Sequence, residues 1–116
     1  MAKAMVVAGV MSGTSADGVD VALCRIAPAR SEDETPRVKL LGHAGFKYSK
    51  AVRAAVLTAM DARDISVEEL SRLNWRLGEI YADCVEKAAA KFGVKVGLVG
   101  CHGQTIYHQG QASRFL

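Results

Sequence analysis

This chain has no long apolar stretch, no block of like charge and too few cysteines for a disulfide framework. The apolar run at residues 5–11 is shorter than a membrane span, and too short for a secretory signal core with its cleavage site. Fifteen Lys+Arg against twelve Asp+Glu leave a net charge of +3, with the two signs interspersed. Nucleic-acid binding therefore gets no electrostatic support. Cys24, Cys84 and Cys101 are odd in number, isolated and set in apolar segments, the pattern of reduced core cysteines. Cys101, His102 and His108 match no zinc-ligand spacing. The expectation is a cytoplasmic protein with neither a nucleic-acid nor a membrane partner. At 50% hydrophobic and 23% charged, the 116 residues suit one globular domain with one modest core.

What is present is concentrated in one stretch. Residues 6–23 run Val-Val-Ala-Gly-Val-Met-Ser-Gly-Thr-Ser-Ala-Asp-Gly-Val-Asp-Val-Ala-Leu. Two apolar, β-branched runs flank a knot of Gly, Ser, Thr and Asp, which reads as strand, turn, strand. Gly13 and Gly18 allow positive φ and a close approach of backbone N–H groups to a ligand. Thr14 and Ser15 add hydroxyl donors, and Asp17 and Asp20 add carboxylates that a hydrated Mg2+ favours. Phosphate donors beside metal-binding acids fit a nucleotide-triphosphate hairpin. An ordinary hairpin turn uses the same residue types, so composition leaves both readings open. Two other motifs are excluded. Gly13 and Gly18 have P-loop glycine spacing, but Val19-Asp20 stands where Lys-Ser/Thr is required. Neither Ser12 nor Ser15 lies in Gly-x-Ser-x-Gly, so there is no nucleophile elbow.

Residues 5–11 read as a buried strand and 19–26 as a second, stopped by Pro28. Residues 29–36 are charged and turn-rich, a solvated loop. Residues 37–47 read as a third strand with a glycine bulge near Gly42 or Gly45, and the short joins make an antiparallel meander. The period then changes. Ser49 caps a helix through about Met60, with Val52, Ala55, Val56 and Ala59 on one side. Ser66-Val-Glu-Glu69 is a capping box, followed by a core stripe of Leu70, Leu73, Leu77, Ile80, Cys84 and Ala88 that Gly93 ends. Trp75 falls off this stripe. Residues 94–100 read as a fourth strand, and Cys101-His102-Gly103-Gln104-Thr105 as a polar loop at its C-terminal end. A helical crossover makes that strand parallel to the first. The loops at 12–18 and 102–105 then share the sheet edge where ligands gather.

Three strings carry a resemblance. They are Gly9-Val-Met-Ser-Gly-Thr-Ser-Ala-Asp-Gly-Val-Asp20, Leu77-Gly78 with Tyr81-Ala82-Asp83, and Gly100-Cys-His-Gly-Gln-Thr-Ile-Tyr-His108. In this order they resemble the anhydro-N-acetylmuramic acid kinase family, bacterial enzymes of cell-wall recycling. The resemblance implies an α/β fold, the N-terminal domain of the actin-like/sugar-kinase (ribonuclease H-like) superfamily, with residues 1–116 as a partial, incomplete domain. It implies ATP and Mg2+ as cofactors and a homodimer at full length. Water opens the 1,6-anhydro ring as the γ-phosphoryl group moves to O6, giving N-acetylmuramic acid 6-phosphate and ADP.

By the same resemblance Gly13, Thr14, Ser15, Ala16, Asp17, Gly18, Val19 and Asp20 bind the ATP phosphates. His102, Gly103, Gln104 and Thr105 lie at the sugar. Asp17 either holds Mg2+ through water or caps its own turn. Asp20, inside a strand, either faces the ligand or pairs with a loop N–H. His102 alone reads as a core histidine; beside Gln104 and Thr105 it reads as a sugar contact. Many superfamily members carry an Asp where this chain has Met11. The family's Asp-Phe-Arg segment, which carries the catalytic base, has no counterpart here, so the base is expected outside this chain and the chain alone is expected to be inactive. The end at Arg114-Phe115-Leu116 reads as cut within an element. The other reading is a stand-alone module that binds phosphate or a muramyl sugar without catalysis.

Overall fold

The computed structural model describes residues 3–110, and the expectation drawn from Arg114, Phe115 and Leu116 lies outside the described residues. The elements are β1 (Met5–Ser12), β2 (Gly18–Ala27), β3 (Arg37–Lys47), α1 (Lys50–Asp61), α2 (Val67–Phe92) and β4 (Leu98–Gln104). The strands form one mixed sheet in the order β3-β2-β1-β4. β2 is antiparallel to both β1 and β3, whereas β4 runs parallel to β1. This is the meander followed by a crossover, consistent with the N-terminal domain of an actin-like, ribonuclease H-like fold.

Alternation decides which face is buried. β1 buries Ala8, Val10 and Ser12, and β2 buries Val19, Val21 and Leu23. This is the period of two expected of a half-covered sheet. Val56 of α1 and Leu77, Cys84, Val85 and Ala88 of α2 join them in one core. Val21, Leu23 and Val56 are fully buried, and each such side chain contributes about 1.5–3 kcal/mol of apolar transfer. The opposite face carries Met5, Met11, Val38 and Leu40, all exposed.

Local chemistry sets the ends of the helices. The Ser49 hydroxyl accepts from the Val52 N–H and the Ser66 hydroxyl from the Glu69 N–H. Gly93, at φ 63°, ends α2 by donating its N–H to the carbonyls of Ala89 and Ala90. The β-bulge lies beside Gly42: the register slips between Leu23 and Cys24, whose partners are Gly42 and Leu40, leaving Leu41 as the extra residue.

Four details depart from expectation. β4 starts at Leu98, and it carries Cys101, His102, Gly103 and Gln104 inside the strand. These residues look like a loop because they are polar, but the backbone ladder to β1 pairs Cys101 with Val10 and Gln104 with Ser12. Val94 and Val96 instead pack beside the core ahead of the strand. Cys101 is exposed, since β4 is the open edge of the sheet; Cys84 is buried and Cys24 half-buried. In α2, Leu70 is exposed while Val85 joins the core. Ala55 of α1 is exposed too. Trp75 is exposed and its indole N–H donates to Glu79 at 3.2 Å. Among the described residues, no helix is long and apolar enough to cross a membrane.

Candidate functional site

The parallel pairing of β1 with β4 sets Ser12 beside Gln104, while the antiparallel return of β2 starts at Gly18. Tyr48, between β3 and α1, reaches this junction and is 9% exposed. Its hydroxyl lies 2.7 Å from Ser12 Oγ and donates to Gln104 Oε1 at 3.0 Å. Ser12 Oγ donates to the Gly18 carbonyl at 2.8 Å. Gln104 Nε2 donates to the Gly13 carbonyl at 2.8 Å and to the Thr105 carbonyl at 3.0 Å. The Tyr48 N–H donates to the Asp17 carbonyl at 3.0 Å. The loop is thus held at Gly13, Asp17 and Gly18 by groups from three different strands or strand ends. Two hydroxyl protons, those of Ser12 and Tyr48, serve three oxygen–oxygen contacts, so one contact lacks a proton at any instant.

Within the loop, the left-handed residue is Ala16 at φ 54°, and neither Gly13 nor Gly18 has positive φ. Left-handed backbone costs a non-glycine residue about 1–2 kcal/mol. The Ala16 N–H donates to the Gly13 carbonyl at 3.2 Å, and the Ala16 methyl is completely buried. Gly18 serves proximity instead. A Cβ on Gly18 would lie 2.0 Å from the Phe46 carbonyl oxygen, whereas one on Gly13 would meet nothing within 4 Å. Thr14, Ser15 and Asp17 are exposed on this loop. The side chains of Ala16 and Val19 belong to the core, so they can offer a ligand only backbone groups.

Gly13, Ser15, Asp17 and Asp20 share a groove of about 350 Å³ with Lys47 of β3. Asp17 Oδ1 stands 3.6 Å from Arg53 Nε of α1. Asp20 is neither buried nor bonded to a loop N–H: alternation turns it to the open face, with Oδ1 3.6 Å from His43 Nε2. Among the described residues no three metal-ligating side chains cluster. An exposed carboxylate in an open groove fits a hydrated Mg2+ that arrives with phosphate, since that ion keeps several waters and uses one or two carboxylates. It does not fit a metal caged by protein alone.

A second groove, of about 400 Å³, lies between α2 and β4; His102, Gly103 and Gln104 line it opposite Leu73, Leu77 and Tyr81. His102 is exposed, not a core residue, and its Nδ1 lies 3.2 Å from the Gly103 carbonyl oxygen. Thr105 follows the strand and does not line this groove. The Tyr81 hydroxyl is buried without a hydrogen-bond partner among the described residues. Burial, then the neighbouring Tyr48 hydroxyl, pushes the Tyr81 phenol well above its ordinary value of 10.0. The two grooves have no lining residue in common. They meet at the Gln104–Gly13 hydrogen bond.

Sequence reasoning missed Tyr48, Tyr81, Lys47 and Arg53. Tyr48 has no local signal, because its side-chain partners lie 36 and 56 residues away. Tyr81 stood inside a recognisable string, but only packing shows its hydroxyl at the junction.

The family described as anhydro-N-acetylmuramic acid kinase matches residues 5–115. A protein of that name from Caldanaerobacter subterraneus subsp. tengcongensis is 37% identical over 105 residues, covering 88% of this chain and 26% of the relative. One from Bacillus cereus is 37% identical over 108 residues, covering 90% of this chain and 28% of the relative. The chain therefore spans about a quarter of the length of these relatives. Matched over nearly all of its residues, the chain belongs to the anhydro-N-acetylmuramic acid kinase family.

Proposed function

We propose that this chain is part of a kinase that uses ATP to phosphorylate anhydro-N-acetylmuramic acid, with residues 13–20 facing the nucleotide phosphates. The carrying observation is the loop itself, held by its own carbonyls while the Thr14 and Ser15 hydroxyls and the Asp17 carboxylate stand exposed. Phosphoryl transfer depends mainly on positioning and charge stabilisation, which such a loop supplies without covalent chemistry. Water adds at C1 as the C1–O6 bond opens, O6 takes the γ-phosphoryl group, and N-acetylmuramic acid 6-phosphate and ADP leave. The loop hydroxyls and backbone orient the γ-phosphate, and Lys47 and Arg53 offset its charge. Asp17 would hold Mg2+ through water, and that ion would neutralise charge on the phosphates. His102, Gly103 and Thr105 lie toward the sugar, and the catalytic base comes from outside these residues. Cytoplasmic cell-wall recycling and a homodimeric whole protein complete the reading.

The test is product stoichiometry with the protein as its host makes it, supplied with ATP, Mg2+ and anhydro-N-acetylmuramic acid. One ADP per sugar phosphate, with one solvent oxygen in the product, is expected. Sugar binding without ADP release overturns the kinase reading in favour of a binding module.

A further inference from the structure

We propose that Gln104 and Tyr48 are positioning residues for the phosphate loop, and that the Gln104 amide nitrogen is not a donor to the sugar. The inference rests on the kinase reading and assigns the Gln104 amide a different task within it. Gln104 faces the groove between α2 and β4, where an amide would ordinarily be read as a sugar contact. Its donor capacity is already used. An amide nitrogen has two N–H groups, and both are committed, one to the Gly13 carbonyl and one to the Thr105 carbonyl. Its oxygen accepts the Tyr48 hydroxyl. To donate to a sugar hydroxyl, Gln104 would have to release the first residue of the phosphate loop or its own neighbour's carbonyl.

Tyr48 completes the linkage. Its N–H holds the Asp17 carbonyl, and its hydroxyl lies between Gln104 and Ser12, which in turn holds Gly18. The Gln104 side chain at one end, and the Tyr48 backbone N–H with the Ser12 hydroxyl at the other, therefore fix both ends of the loop, and the Tyr48 hydroxyl joins the two. The shortage of protons makes this linkage cooperative. A Tyr48 proton given to Gln104 leaves Ser12 to choose between Tyr48 and the Gly18 carbonyl. Movement of Gln104 on the sugar side thus alters the hydrogen bond at the far end of the phosphate loop. Gln104→Met removes the bond to Gly13 outright, whereas Tyr48→Phe keeps the backbone bond to Asp17 and acts on the loop through the orientation of Gln104 and Ser12.

The experiment uses the host-made protein carrying Tyr48→Phe, Gln104→Met or both. Steady-state kinetics are run with ATP and the anhydro sugar varied separately, and amide exchange is followed over residues 14–18. Each single variant is expected to raise the ATP KM, lower kcat, or both, by about five- to tenfold, the scale of one lost hydrogen bond. The sugar KM should stay within about twofold. The double variant should be no worse than about the poorer single one, as expected for residues acting through one network. Exchange over residues 14–18 should quicken in all three. A sugar KM that rises while the ATP parameters hold in Gln104→Met overturns the assignment, and so does unchanged exchange at the loop. If the wild type turns over no ATP, the kinase reading fails, and exchange alone still decides whether Gln104 and Tyr48 hold the loop.

Discussion

Replacing Gly18 with alanine should part β2 from β3 where β2 leaves the loop at residues 13–17. The added Cβ would lie 2.0 Å from the Phe46 carbonyl oxygen and 2.9 Å from Lys47 Cα, both backbone atoms. Ordinary contact begins near 3.4 Å, so β2 and β3 must separate there by roughly 1.4 Å. No rotamer change relieves this. The Tyr48 N–H to Asp17 carbonyl bond, 3.0 Å long and one residue beyond the clash on each strand, is lost or stretched. Overpacking together with one or two lost hydrogen bonds gives about 2–4 kcal/mol of destabilisation. That is a large share of the about 5–15 kcal/mol that holds a typical domain folded. Gly13→Ala is the control: its Cβ meets nothing within 4 Å and its φ is not left-handed. Its stability should fall within about 1 kcal/mol of the wild type, or rise slightly through lower entropy of the unfolded chain. Chemical denaturation of the three proteins in parallel reads both effects as midpoint shifts at constant slope. A Gly18→Ala midpoint equal to that of the wild type refutes the close-approach reasoning.

Two other substitutions separate structure from chemistry. Tyr81→Phe removes a buried hydroxyl that has no hydrogen-bond partner among the described residues, so stability near neutral pH should be unchanged or improved, as thermal unfolding would show. The raised Tyr81 pKa favours the neutral phenol in the folded state. Its stabilising contribution is complete below the ordinary value of 10.0 and is lost as pH rises above it, because the unfolded chain ionises first. Melts from pH 8 to 11 should fall less steeply in Tyr81→Phe, and an identical slope would contradict the assignment. Asp17→Ala breaks an exposed ion pair with Arg53, which costs less than about 1 kcal/mol. Turnover with ATP should drop by about tenfold or more, the scale of losing one charge-positioning group. Parallel melts and kinetics check both halves, and equal losses in stability and rate would count against a role at the phosphates.

Where local chemistry and tertiary structure agree, the sequence was legible. Ser66 with Glu69 and Gly93 mark the ends of α2, and they do so with groups a few residues apart. β3 runs from Arg37 to Lys47 as its pattern suggests. β4 was misread because a polar edge strand looks like a loop: ladder hydrogen bonds come from the backbone and do not depend on side-chain polarity. The loop's geometry was also assigned to the wrong residues. Glycine suggests positive φ, but Ala16 adopts it, and Gly18 is required by a strand brought close in space. Convergence of the two ends followed from topology, since a parallel crossover brings strands one and four to one edge. The bonds that join them did not, because Ser12, Tyr48 and Gln104 meet only through three-dimensional packing.

The most direct measurement is the ATP kinetics of Gly13→Val beside its unfolding midpoint. A Cβ added at Gly13 meets no protein atom within 4 Å. Near-normal stability with ATP turnover reduced by about a hundredfold is the expected result, because valine would occupy the place of the phosphates. Near-normal stability with unchanged ATP turnover would contradict the claim that this loop holds the nucleotide.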